Sequence, residues 1–241
     1  MDWEFGDGLT PDRVDRLLER GADPTIVESL DVREVVDPLP EWWHHNGNAL
    51  YASPGKVLPY RLINKLTGYE CSDTLLVLAT DVPWLSSLLV SGAGSTVFLG
   101  PESEFTAGNI YCGANSSVIF DGGVTATREA VVDARNGGSI TAKWGQLWAA
   151  NVYVATDDMH RLESLETGAR LNPYGATITL GRHLWLGRDV IVTGHVEIGD
   201  NTVVGTRSMV RGQKIPANTA VAGVPARVIR EGVTWSEDDL P

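Results

Sequence analysis

Every sixth residue between Leu180 and Val210 is aliphatic: Leu180, Leu186, Val192, Ile198, Val204 and Val210. The row two places earlier holds Ile178, Leu184, Val190, Val196, Thr202 and Ser208, and glycine follows the aliphatic row at Gly181, Gly187, Gly199 and Gly205. An α-helix repeats at about 3.6 residues and a strand at about 2. A period of six predicts short strands joined by sharp corners and stacked as a β-helix, with about 18 residues in each three-sided coil. Leu180 should then stack on Ile198, Leu186 on Val204 and Val192 on Val210. Glycine is expected to supply the permissive backbone of each corner. Strand alternation turns both rows inward and the row between them outward. That outer row is Thr179, Trp185, Ile191, Glu197, Val203 and Met209. A mostly apolar outer row predicts self-association, for which closed cyclic symmetry is the usual solution.

Upstream the rhythm loosens. Short aliphatic runs punctuated by Gly, Asn and Ser occur at 75–78, 91–100, 116–123, 136–145 and 151–156, and predict imperfect coils of the same helix. Between them and the clean repeat lies DDMHRLESLETGARLNPYG, residues 157–175, polar and without the period. Such an interruption predicts a loop leaving the array at its binding face. Residues 1–70 are of another character and predict a small helical or irregular extension. Thr10 caps a helix with Pro11 at its first position and Gly21 at its end. A second helix is expected from Asp23-Pro24 to about Val35, and another near residues 59–66. The fold class is mainly β: a β-helix over 74–216, with residues 217–241 as a C-terminal arm and frayed acidic tail.

The net charge of −12 argues against nucleic acid or an anionic membrane surface as partner. The charge is uneven: seven basic against three acidic residues leave residues 178–230 at +4 and the remainder at −16. A basic end on an acidic chain suggests an anionic small ligand. Hydrophobic content of 43% and charged content of 21% fit a soluble globular protein. No apolar run approaches a membrane span, and the acidic start MDWEFGDG lacks the features of a signal peptide, so a cytoplasmic protein is expected. Cys71 and Cys112 form no metal-binding spacing and are expected to be reduced thiols.

Among the five histidines, His183 and His195 stand 12 apart, which places them on different faces of the prism. No metal site is expected from them or from His44-His45. His160, inside the interruption, follows Asp157 and Asp158. A carboxylate there can hold one ring nitrogen and leave the other as a base.

From about Leu75 to Arg230 the chain resembles the hexapeptide-repeat acyltransferases, and from Thr156 to Arg230 in particular the capsular and surface polysaccharide O-acetyltransferases. TDDMH parallels their S-D-x-H loop, RLNP their R-I-N-P, and LGRHLWLG their I-G-x-H-V-W-I-G. IPANTAVAGVPARVIR parallels their closing I-P-x-N-x-V-x-A-G-x-P-A-K/R-V-I-R. The resemblance implies a left-handed parallel β-helix, against the right-handed rule for crossovers elsewhere. It implies acetyl-CoA as acyl donor, a saccharide hydroxyl as acceptor, and a homotrimer with active sites between subunits. His160 falls on the catalytic base, Asp158 on its aspartate and Trp185 on the active-site tryptophan. Gly205, Thr206 and Ser208 fall on the G-A-G-S run along the pantetheine arm. Arg211 and Lys214 fall near the coenzyme phosphates, and Arg227 and Arg230 near the nucleotide. Two positions depart from the pattern. Asp157 stands for serine, so either Asp could orient His160, and Thr206-Arg207 stands for Ala-Gly, which puts a cation in the coenzyme site. N-acetylation of an amino sugar and a non-catalytic β-helix scaffold are the rival functions.

Overall fold

A computed structural model describes residues 3–56 and 58–238. Met1 and Asp2 of the acidic N-terminus and residues 239–241 of the acidic tail lie outside them. Among the described residues, three mainly parallel sheets of ten, seven and six strands form the sides of a β-solenoid. The expected stacking holds: Leu180 pairs with Ile198, Leu186 with Val204 and Val192 with Val210. Both inner rows are buried throughout, while Trp185 and Glu197 of the outer row are exposed.

The glycines serve a different purpose from the one expected. Gly181, Gly187, Gly199 and Gly205 are not the left-handed residues of the corners. That backbone falls two places later, at His183, Asp189, Asn201 and Arg207, with φ of 55, 57, 57 and 58°. What the first three glycines provide is room for the next coil. A Cβ on Gly199 would meet Ala217 N at 2.4 Å, and one on Gly187 would meet Thr206 N at 2.7 Å. Gly199→Ala is therefore expected to lower stability by about 1–3 kcal/mol, seen as a lower denaturant midpoint.

Upstream coils are longer. Val97 pairs with Val118 and Val118 with Ile140, steps of 21 and 22 residues, against 18 from Ile178 to Val196. The extra residues hide the period of six. The wider coils enclose an aromatic stack, Phe105 against Phe120 at 6.0 Å and Phe120 against Trp148 at 5.5 Å.

Among the described residues, the extension 1–70 holds four helices: α1 (Pro11–Glu19), α2 (Pro24–Glu28), α3 (Glu41–His45) and α4 (Tyr60–Leu66). Gly21, at φ 94°, ends α1 with Ala22 N bonded to Leu17 O and Gly21 N to Leu18 O, a Schellman cap. The helix expected to reach Val35 stops at Glu28. Residues 33–37 form a strand, paired antiparallel with 49–52, which in turn pairs in parallel with 75–78. The extension thus supplies strands to the ten-stranded sheet and is not purely helical or irregular.

Leu17, Ala22, Val27 and Val32 bury the outer face of that sheet at Tyr51, Val77, Phe98 and Ile119. Ionic ties fasten the cover, with Arg16 at 2.7 Å from Asp73 and Arg182 at 2.5 Å from Asp23. Beyond Pro216 the sheets continue. Residues 219–223 extend the seven-stranded sheet, and 226–231 return antiparallel beside them. No helix of the described residues is long and apolar enough to cross a membrane.

Candidate active site

The interruption leaves the solenoid between the strand 153–155 of the six-stranded sheet and the strand 177–180 of the ten-stranded sheet. Its only pairing is a Glu163–Arg170 bridge. Asp157 is buried, accepts from Met159 N at 2.7 Å and contacts the Asn136 amide. Asn172 closes the loop from the other side. It donates to His160 O at 2.7 Å and accepts from Leu162 N at 2.9 Å. The backbone of His160 is thereby fixed. Its imidazole is exposed and has no hydrogen-bond partner among the described residues.

This corrects the expectation that an aspartate orients the His160 ring. Asp157 binds backbone and Asn136, and Asp158 pairs with Arg211 at 3.0 Å. Asn172, within the RLNP stretch, is the residue that spacing alone did not single out.

Trp185 lies on the seven-stranded sheet, with 40% of its surface exposed. That sheet is the side of the prism opposite the edge from which His160 projects. One chain therefore does not bring the two together. His183 and His195 likewise precede strands of different sheets. Among the described residues no three His, Cys, Asp or Glu side chains are grouped to hold a metal.

The cations also separate. Arg207 is exposed and pairs with Asp189 at 3.4 Å, Arg211 with Asp158, and Lys214 with Glu197 at 2.8 Å on the ten-stranded sheet. Arg188, Arg227 and Arg230 make no ion pair among the described residues. Arg188 occupies the corner after Trp185, and the other two lie on the strand 226–231 of the same sheet. Charge counting included Arg188, but the family pattern did not pick it out.

Thr206 and Arg207 are exposed at the next corner. Gly205 packs against Ala222, and buried Ser208 accepts from Gly223 N at 3.0 Å. Neither cysteine suits a nucleophile: burial pushes the Cys112 thiol up to about 12 and raises that of Cys71. The N–H groups of Trp185 and Gly187 bond Thr202 O and Val204 O in the coil ladder, so neither is free to serve as an oxyanion donor.

The C-terminal tail does not fray at Trp235. Val233 N bonds Asn218 O at 2.9 Å. The Trp235 ring stacks on His183 at 4.4 Å and lies 6.2 Å from Trp185.

A solenoid with one exposed loop histidine and an aromatic, cation-edged face is the architecture of a hexapeptide-repeat acyltransferase. The comparisons agree. The chain is 33% identical over 171 residues to the "Putative acetyltransferase" of Saccharomyces cerevisiae, covering 71% of this chain and 69% of that one. Over 58 residues it is 48% identical to the galactoside O-acetyltransferase of Escherichia coli, covering 24% of this chain but only 28% of that relative's length. The crystal structure of the polySia-specific acetyltransferase NeuO superposes with a TM-score of 0.63 at 25% identity, covering 70% of this chain and 77% of that one. No family model matches. The chain belongs to the hexapeptide-repeat acyltransferases and has their left-handed β-helix.

Proposed function

We propose that the protein transfers an acetyl group from acetyl-CoA to a saccharide hydroxyl, at sites formed between copies of the chain in a cyclic trimer. The observation that carries this reading is His160: its carbonyl is held by Asn172, the preceding Met159 N–H by Asp157, and its ring is left free toward solvent. The likeness to sugar acetyltransferases supports it.

A hydroxyl is too weak an acid to attack a thioester unaided, so a base within reach is needed. The free ring nitrogen of His160 takes the hydroxyl proton as the oxygen adds to the thioester carbonyl. The tetrahedral intermediate then collapses, the C–S bond breaks, and the thiolate of coenzyme A takes the proton back from the imidazolium. Direct transfer is favoured because neither buried thiol can compete as a nucleophile. Arg188, Arg227 and Arg230, unpaired beside the Trp185 face, are the cations available to the donor's phosphates, with Thr206 and Arg207 beside them. Arg211 and Lys214, already paired in the protomer, would have to exchange partners to contribute.

Two measurements test this reading. Incubation with acetyl-CoA and a panel of glycosides should yield a product one acetyl group heavier, released by mild alkali as an ester is. An alkali-stable product would indicate N-acetylation, and no transfer would overturn the assignment. Arg188→Ala should raise the KM for acetyl-CoA about tenfold with kcat little changed.

A further inference from the structure

The seven-stranded sheet is electrically lopsided about Trp185. On one side stand Arg188 and Arg227, unpaired among the described residues, with Arg230 in the file of Trp185 itself, opposite Ala220. On the other, the corner of His183, Asn201 and Asn218 is covered by the returning tail. Asn201 Oδ1 lies 3.1 Å from His183 Nδ1, and the Trp235 indole N–H donates to His183 O at 2.9 Å. The two rings are nearly coplanar in stacking, 10° apart. Trp235 and Trp185 are inclined at 50°, so the tail adds a second aromatic wall to a face that already exposes one. Exposed Glu237 and Asp238 follow after Ser236, and Asp200 lies exposed at the same corner.

We infer that Trp235 is a specificity-determining residue, the second wall of an acceptor subsite that takes an uncharged sugar ring. The inference rests on the acetyl-transfer reading. Two inclined indoles offer flat apolar surface to the C–H face of a pyranose, the usual use of aromatic side chains in a polar ligand's site. The cations draw the anionic donor to their own side of Trp185, which leaves the tail side to the acceptor. Carboxylates at that end, away from Arg188 and Arg227, disfavour an acidic sugar. The polySia-specific relative acts on a polyanion; this surface is built for a neutral glycoside.

The test uses the full chain with Trp235→Ala and Trp235→Phe, acetyl-CoA, a neutral aryl hexoside and the matching uronide. Trp235→Ala should raise the hexoside KM about tenfold and leave kcat and the acetyl-CoA KM within about twofold. Trp235→Phe should recover most of the loss. The wild type should prefer hexoside to uronide, and Glu237→Gln with Asp238→Asn should narrow that preference. An unchanged hexoside KM in Trp235→Ala, or a rise in the acetyl-CoA KM instead, overturns the inference. So does a wild-type preference for the uronide.

Tryptophan-fluorescence titration with the hexoside separates the two levels. Binding weakened by Trp235→Ala in a wild type that transfers nothing would sink the acetyl-transfer reading and keep the subsite. Absence of hexoside binding would sink the subsite even if transfer to another acceptor is found.

Discussion

His160→Ala is expected to lower kcat/KM for acetyl transfer by about 10²–10⁴-fold, the usual contribution of a positioned general base. The melting temperature should not move, because the ring is exposed and makes no hydrogen bond among the described residues. The two measurements belong together. A residue that held the loop would show in stability first, as Asn172 should, since its amide bridges His160 and Leu162. A residue that only handles a proton shows in rate alone. Transfer by His160→Ala at near the wild-type rate would remove the base from the mechanism and leave the clamped loop without a chemical role. No carboxylate among the described residues bonds the His160 ring, which leaves its orientation to the substrate or to another copy of the chain.

How much of this was legible beforehand depended on period. From Ile178 to Val210 each coil is 18 residues, so the phase of those side chains followed from the spacing, and the outward Trp185 with it. Between residues 75 and 142 the coils run to 21 or 22 residues, and no six-residue count survives. A different signal was present there. ALYA and LLVL are continuously apolar, and TVFL and SVIF carry three apolar residues in a row, where TITL alternates. Unbroken apolar strands are buried on both faces, and these are the four that α1, α2 and the segment leading to Val32 cover. The covering role of residues 1–70 could therefore have been read from the sheet rather than from the extension itself.

The strand at 33–37 escaped because REVVD is too short for its period to separate from a helix end. In the site, the loop position of His160 was legible and its partners were not. Asp157 and Asp158 are adjacent in sequence, but one turns inward to Asn136 and the other outward to Arg211. Trp235 looked like a lone aromatic in an acidic tail, since nothing local says that residue 233 binds 218.

A mixture of two inactive variants is expected to regain activity. His160 and Trp185 stand on opposite sides of one solenoid, so a complete site needs the loop of one copy against the sheet of the next. Trp185→Ala should be severely impaired, as His160→Ala is. When the two are unfolded together and refolded in equal amounts, random assembly in a cyclic trimer pairs an intact His160 with an intact Trp185 at about one quarter of the interfaces. Activity should return to about that fraction of wild type, far above either variant alone. Mixing without subunit exchange should return nothing. If both residues served one site within a single chain, every chain in the mixture would remain defective and refolding would restore no activity. The face covered by α1 and α2 limits how such copies can meet. Over the upstream coils the ten-stranded sheet is already occupied, which leaves the seven- and six-stranded sheets for the contact. Both expose the apolar outer row of Trp185, Val203, Ile191 and Met209 to some degree, and the His160 loop projects from the edge of the six-stranded sheet.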